Sequence, residues 1–116
     1  MIVEDNRDAA KMLEQFLKLS GYAVAVAHTS REGLEAARRI SPDVVLCDIG
    51  LPDADGYALA EALSRDPLTS GARLIAVTAR NDEADKRRSK EAGFHLHLVK
   101  PVKPESLLQE LRRRPQ

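Results

Sequence analysis

Asp43-Val-Val-Leu-Cys-Asp48-Ile-Gly-Leu-Pro52-Asp-Ala-Asp-Gly56 decides how this chain folds. Val44 to Cys47 is a short, unbroken apolar run rich in β-branched residues. Such runs belong to strands buried on both faces, as in parallel sheets. The run ends on a carboxylate, Asp48, and a turn-rich loop follows. An acid at the end of a central strand is placed where open α/β sheets bind their ligands.

The same alternation extends in both directions. Upstream, Met1-Ile-Val3 is a brief strand followed by Glu4-Asp5-Asn6. Residues 7–20 place Ala9, Met12, Leu13, Phe16 and Leu17 at helical spacing, and Gly21 closes the helix. Tyr22 to Ala27 reads as a strand. Thr29-Ser30-Arg31-Glu32 fits a capping box opening a helix to about Ile40, and Ser41-Pro42 stops it. Downstream of Gly56, Leu59, Ala60 and Leu63 mark a helix. Arg73 to Val77 is a strand ending at Thr78, and residues 82–92 read as a helix polar nearly all round. Phe94 to Val99 is a last strand ending at Lys100-Pro101. Pro104 then opens a helix carrying Leu107, Leu108 and Leu111. The result is βαβαβαβαβα, which implies a doubly wound, five-stranded parallel sheet, flavodoxin-like, of order 2-1-3-4-5, with helices on both faces.

Composition narrows the function. The 116 residues fit one domain, 1–116, with no linker, repeat or low-complexity segment. Eighteen basic and 18 acidic side chains cancel, so no basic excess points to nucleic acid or to a membrane surface. No apolar run is long enough to span a bilayer. A single cysteine, Cys47, excludes an internal disulfide and suits a reducing, cytoplasmic setting. Cys47 itself reads as a buried, inert thiol, and His28 and His95 as surface or satisfied histidines.

In the 2-1-3-4-5 order, strands 1, 3, 4 and 5 are neighbours. Their ends carry Glu4 and Asp5, Asp48, Thr78 and Lys100. Strand 2 offers nothing polar at that edge. Three carboxylates crowded together repel one another, and a divalent cation relieves the conflict. All-oxygen donors without a Cys or His cluster favour Mg²⁺ over zinc. A lysine and a hydroxyl beside it suit a developing phosphoryl charge. Asp48 is the candidate nucleophile, since aspartate can form an aspartyl phosphate.

Four stretches carry a resemblance: Ile2-Val-Glu-Asp-Asn6; Val45-Leu-Cys-Asp-Ile-Gly-Leu-Pro52 with Asp55-Gly56; Ala76-Val-Thr-Ala79; and Leu98-Val-Lys-Pro101. Together they resemble the receiver domains of two-component response regulators over essentially the whole chain. The resemblance implies that Asp48 is the phosphoacceptor and that Asp5, Asp48 and the Gly50 carbonyl bind Mg²⁺ directly. It implies that Glu4 acts through water, that Thr78 and Lys100 grip the phosphoryl group, and that Lys100-Pro101 is cis. Gly50 and Arg80 match positions that tune dephosphorylation. The phosphoryl donor would be a histidine kinase or histidine phosphotransfer protein, with no direct contact to nucleic acid or membrane. The domain would be a phosphoacceptor with slow autodephosphorylation rather than an enzyme. Segments 91–94 and 97–102 resemble receivers attached to hybrid histidine kinases, in which case the parent chain would be a kinase.

Two features depart from the family pattern. His97 stands where an aromatic, often Tyr, serves as the rotating switch partner of the threonine. Strand 1 is also shorter than usual. Two other readings compete. A haloacid-dehalogenase-type phosphohydrolase also uses an Asp nucleophile with Mg²⁺ but wants a second Asp two residues on, where this chain has Gly50. A degenerate receiver that only binds partners would lack part of the acid, Asp, Thr and Lys set.

Overall fold

The computed structural model describes residues 1–79 and 82–112. Arg80 lies outside them. The elements are β1 (Ile2–Val3), α1 (Arg7–Leu19), β2 (Val26–Ala27), α2 (Ser30–Ile40), β3 (Val44–Asp48), α3 (Gly56–Arg65), β4 (Arg73–Thr78), α4 (Glu83–Ala92), β5 (Leu96–Val99) and α5 (Pro104–Arg112). All strand pairs are parallel, in the order β2-β1-β3-β4-β5. The expected fold class and strand order are therefore what the chain adopts.

Side chains alternate across the sheet, as the period of two demands. Val3, Val45, Cys47, Leu74 and Ala76 face one way and pack with Ala37, Leu59, Leu63 and Phe94 beneath α2, α3 and α4. Ile2, Leu46, Ile75 and Val77 face the other way and meet Ala10 and Leu17 of α1 and Leu107 of α5. The sheet thus separates two cores, each covered by amphipathic helices.

Helix starts follow local chemistry. Asn6, Thr29, Asp55 and Asp82 each cap a helix by accepting a first-turn backbone N–H. The predicted capping box is only half realised. Thr29 Oγ1 accepts from Glu32 N at 3.1 Å, but Glu32 Oε2 accepts from His28 N, one residue before the expected partner. Gly93 closes α4 at φ 111°. Ser41, a non-glycine, closes α2 at φ 47°.

The starts of β2 and β5 differ from expectation. β2 is confined to Val26–Ala27, not Tyr22–Ala27, because its sole neighbour β1 contributes only Ile2 and Val3 to the ladder. β5 begins at Leu96, not Phe94. Phe94 is buried against the helices and meets Tyr57 edge-on, with ring centroids 6.4 Å apart. β3 ends on Asp48, as the sequence reads, so the carboxylate is held within the strand itself.

Candidate phosphoacceptor and metal site

The C-terminal edge of the sheet gathers Glu4 and Asp5 after β1, Asp48 at the end of β3, Thr78 at the end of β4 and Lys100 after β5. Glu4, Asp48 and Thr78 are buried, while Asp5 and Lys100 reach solvent. One carboxylate oxygen from each of Glu4, Asp5 and Asp48 lies within 4.8 Å of the others. Lys100 Nζ is 2.9 Å from Asp48 Oδ2 and 3.3 Å from Glu4 Oε1. Gly50 N donates to Asp48 Oδ1 at 3.0 Å. The Lys100-Pro101 bond is cis, matching what the resemblance implies.

The local fold explains the aim of each group. Asp48 pairs with Val77 in the β3–β4 register, and Thr78 follows directly. Gly56 keeps the returning loop tight against Asp48. A Cβ there would stand 2.7 Å from the Asp48 carbonyl oxygen and 2.9 Å from Ile49 Cα, so no larger residue fits without moving backbone.

Electrostatics divide the acids. Burial, then hydrogen bonding to Asp48, pushes the Glu4 carboxyl up to about 7. Burial would raise Asp48 too, but hydrogen bonds from Glu4, Lys100 and the Gly50 amide outweigh it and hold Asp48 below its ordinary value. Burial likewise opposes charge on Lys100, yet Asp48 and Glu4 prevail and raise it. The edge therefore favours an ionised Asp48 beside a proton shared by Glu4 and a retained ammonium. The Cys47 thiol, pushed up to about 12 chiefly by burial, stays neutral and inert.

The three histidines each find a partner. His28, just past β2, donates from Nδ1 to the Glu4 carbonyl oxygen at 2.9 Å, so the β2 end does contribute a polar group. Nothing in local sequence signals this, because the partners are 24 positions apart. His95 Nδ1 accepts from Leu74 N at 2.9 Å, a satisfied histidine as expected. His97 lies on β5, and its Nδ1 pairs with the Oγ of buried Ser89 on α4 at 3.0 Å. That contact joins the expected switch position to α4.

A 2-1-3-4-5 parallel sheet with an acid cluster, a hydroxyl and a lysine at one edge defines a receiver-type α/β signalling module. The family model of the response regulator receiver domain matches residues 1–112, and the chain belongs to this family. It is a receiver domain of two-component signalling. The chain is 35% identical to Protein PilH of Pseudomonas aeruginosa over 111 residues, covering 96% of this chain and 92% of PilH. It is 32% identical to the DNA-binding response regulator MtrA of Mycobacterium tuberculosis, covering 98% of this chain but 49% of MtrA, so it spans about half that relative's length. The crystal structure of a CheY-like response regulator receiver domain protein from Methanospirillum hungatei superposes with a TM-score of 0.89 at 32% identity, covering 96% of this chain and 87% of that one. No described helix is long and apolar enough to cross a membrane.

Proposed function

We propose that Asp48 accepts a phosphoryl group from the phosphohistidine of a histidine kinase or histidine phosphotransfer protein, at a site that also takes up Mg²⁺. The observation that carries this reading is the pairing of a strand-end carboxylate with an ammonium 2.9 Å away, inside a cluster of acids. A nucleophilic carboxylate must be ionised, and Asp48 is held so. Its oxygen attacks phosphorus, the new P–O bond forms as the P–N bond breaks, and the electron pair leaves on the imidazole nitrogen. Lys100 neutralises charge on the acyl phosphate oxygens, and the Thr78 hydroxyl at the next strand end is drawn toward them.

The donor set fits a hard cation, because it is all oxygen and carries more negative charge than one lysine balances. Asp5, Asp48 and the Gly50 carbonyl would hold Mg²⁺, with Glu4 acting through water. When bound, the metal supplies positive charge to the transferring group. Phosphorylation then biases a two-state equilibrium on the β4 to α5 face, with His97 as the switch residue. The domain keeps its phosphoryl group and loses it slowly, without multiple turnover on small substrates. A cytoplasmic location belongs to the same reading. Gly50, in the place where a phosphohydrolase of the haloacid-dehalogenase type needs a second acid, disfavours that alternative.

Wild type and Asp48→Asn, each incubated with acetyl phosphate and Mg²⁺, are to be weighed intact by mass spectrometry. Wild type alone should gain one phosphoryl mass. Labelling of both proteins, or of neither, would sink the reading.

A further inference from the structure

The loop from Ile49 to Asp55 carries the Gly50 carbonyl, yet little within the loop holds its outer half. Leu51 is buried, but 52–55 are exposed. Two side chains there, Asp53 and Asp55, reach across to other elements. Asp53 Oδ1 accepts from Ser30 N at 2.8 Å and Asp53 Oδ2 from Arg31 N at 3.0 Å. These are the first two amides of α2. A helix start leaves four such donors without intrahelical partners. In α2, Thr29 Oγ1 meets the third helical amide, Glu32 N, and the first intrahelical bond runs from Gly33 N to the Thr29 carbonyl. Asp53 therefore completes the N-terminus of a helix 23 positions away. A carboxylate on a helix N-terminus is also favoured by the helix dipole. The amides hold the Asp53 carboxyl below its ordinary value, so the clamp is charged at neutral pH.

The geometry points to Asp53 as a positioning residue for Mg²⁺: by docking the β3–α3 loop on the α2 N-terminus, it sets where the Gly50 carbonyl stands. This rests on the function proposed above. Asp53 need not touch the metal. The neighbouring Asp55 ties the same loop the other way, its Oδ2 3.3 Å from Arg88 of α4. Asp53 is the tie on the α2 side. A supporting group of this kind, acting through a ligand it orients, commonly changes metal affinity about 10- to 100-fold.

The test measures Mg²⁺ dissociation constants by calorimetry for wild type, Asp53→Ala and Asp53→Asn, at a temperature where melting curves show all three folded. Amide spectra of Gly50 are recorded alongside. Asp53→Ala should bind Mg²⁺ at least about tenfold more weakly, with a shifted Gly50 amide in the metal-free state. Asp53→Asn, which keeps one acceptor oxygen, should fall between. A lower melting temperature in Asp53→Ala with wild-type Mg²⁺ affinity and an unmoved Gly50 amide overturns the inference and leaves Asp53 a helix cap alone. Equal weakening by Ala and Asn with an unmoved Gly50 amide also overturns it, since lost charge then accounts for the effect. A wild type that binds no Mg²⁺ overturns the function reading and this inference together.

Discussion

Glu4 holds the most distinctive chemistry of any single residue. Its folded value near 7 lies above its ordinary value of 4.5, so the folded protein binds this proton more tightly than the unfolded chain. Stability drawn from it is present below 4.5 and is lost as pH rises toward 7. Asp48 runs the other way: its contribution is present above its ordinary value of 3.8 and is lost as pH falls through its lowered value. Metal-free protein should therefore lose stability from about pH 5 to pH 7, as read by urea denaturation across that range. A divalent cation competes with the Glu4 proton, so Mg²⁺ affinity should rise across the same window, by at most about tenfold per pH unit for one proton. Glu4→Gln should flatten both profiles between pH 5 and 7. Glu4, Asp48 and Lys100 were legible as candidates because each follows an apolar run. Their division into a protonated and an ionised acid was not, because it depends on burial and on who faces whom.

Among the elements, the segment from β3 into α3 has the least freedom. Gly56 starts α3 where a methyl would collide with the Asp48 carbonyl, the Ile49 Cα and, at 3.2 Å, the Cys47 Sγ. Two of these three atoms are backbone and cannot swing aside. Gly56→Ala should cost about 1–3 kcal/mol in chemical denaturation and should slow labelling by acetyl phosphate. Wild-type stability with wild-type labelling would show that the loop relaxes freely. Element types were readable throughout, since periodicity and caps are local. The ends of β2 and β5 were not. Tyr22 to Ala25 looks like strand but has no register partner in β1, although the Ala25 carbonyl accepts from Ile2 N at 2.9 Å, and Phe94 is drawn into the helical layer instead. Glu32 illustrates the same limit: the spacing of a capping box was visible, but the partner it chose was not.

At the scale of the whole molecule, one sheet divides two cores, and this organisation predicts independence. Leu63 of α3 lies in the core on the α2, α3 and α4 side of the sheet, while Ile75 lies in the core on the α1 and α5 side. Leu63→Ala should cost about 2–5 kcal/mol and Ile75→Val about 0.5–1.5 kcal/mol. The double variant should equal their sum to within about 0.5 kcal/mol in denaturant unfolding. A larger mismatch would mean that strain crosses the sheet. The chain by itself determined the order of elements, their helical or extended character and the kinds of side chain at the strand ends. Each of these is encoded by hydrophobic period, capping residues and turn formers within a few positions. Only the tertiary structure decided that Lys100 bridges Asp48 and Glu4, that His28 meets the Glu4 carbonyl, and that Asp53 caps α2. Those contacts join residues about 20 to 100 positions apart. They arise from strand register and crossover packing, which no local pattern specifies.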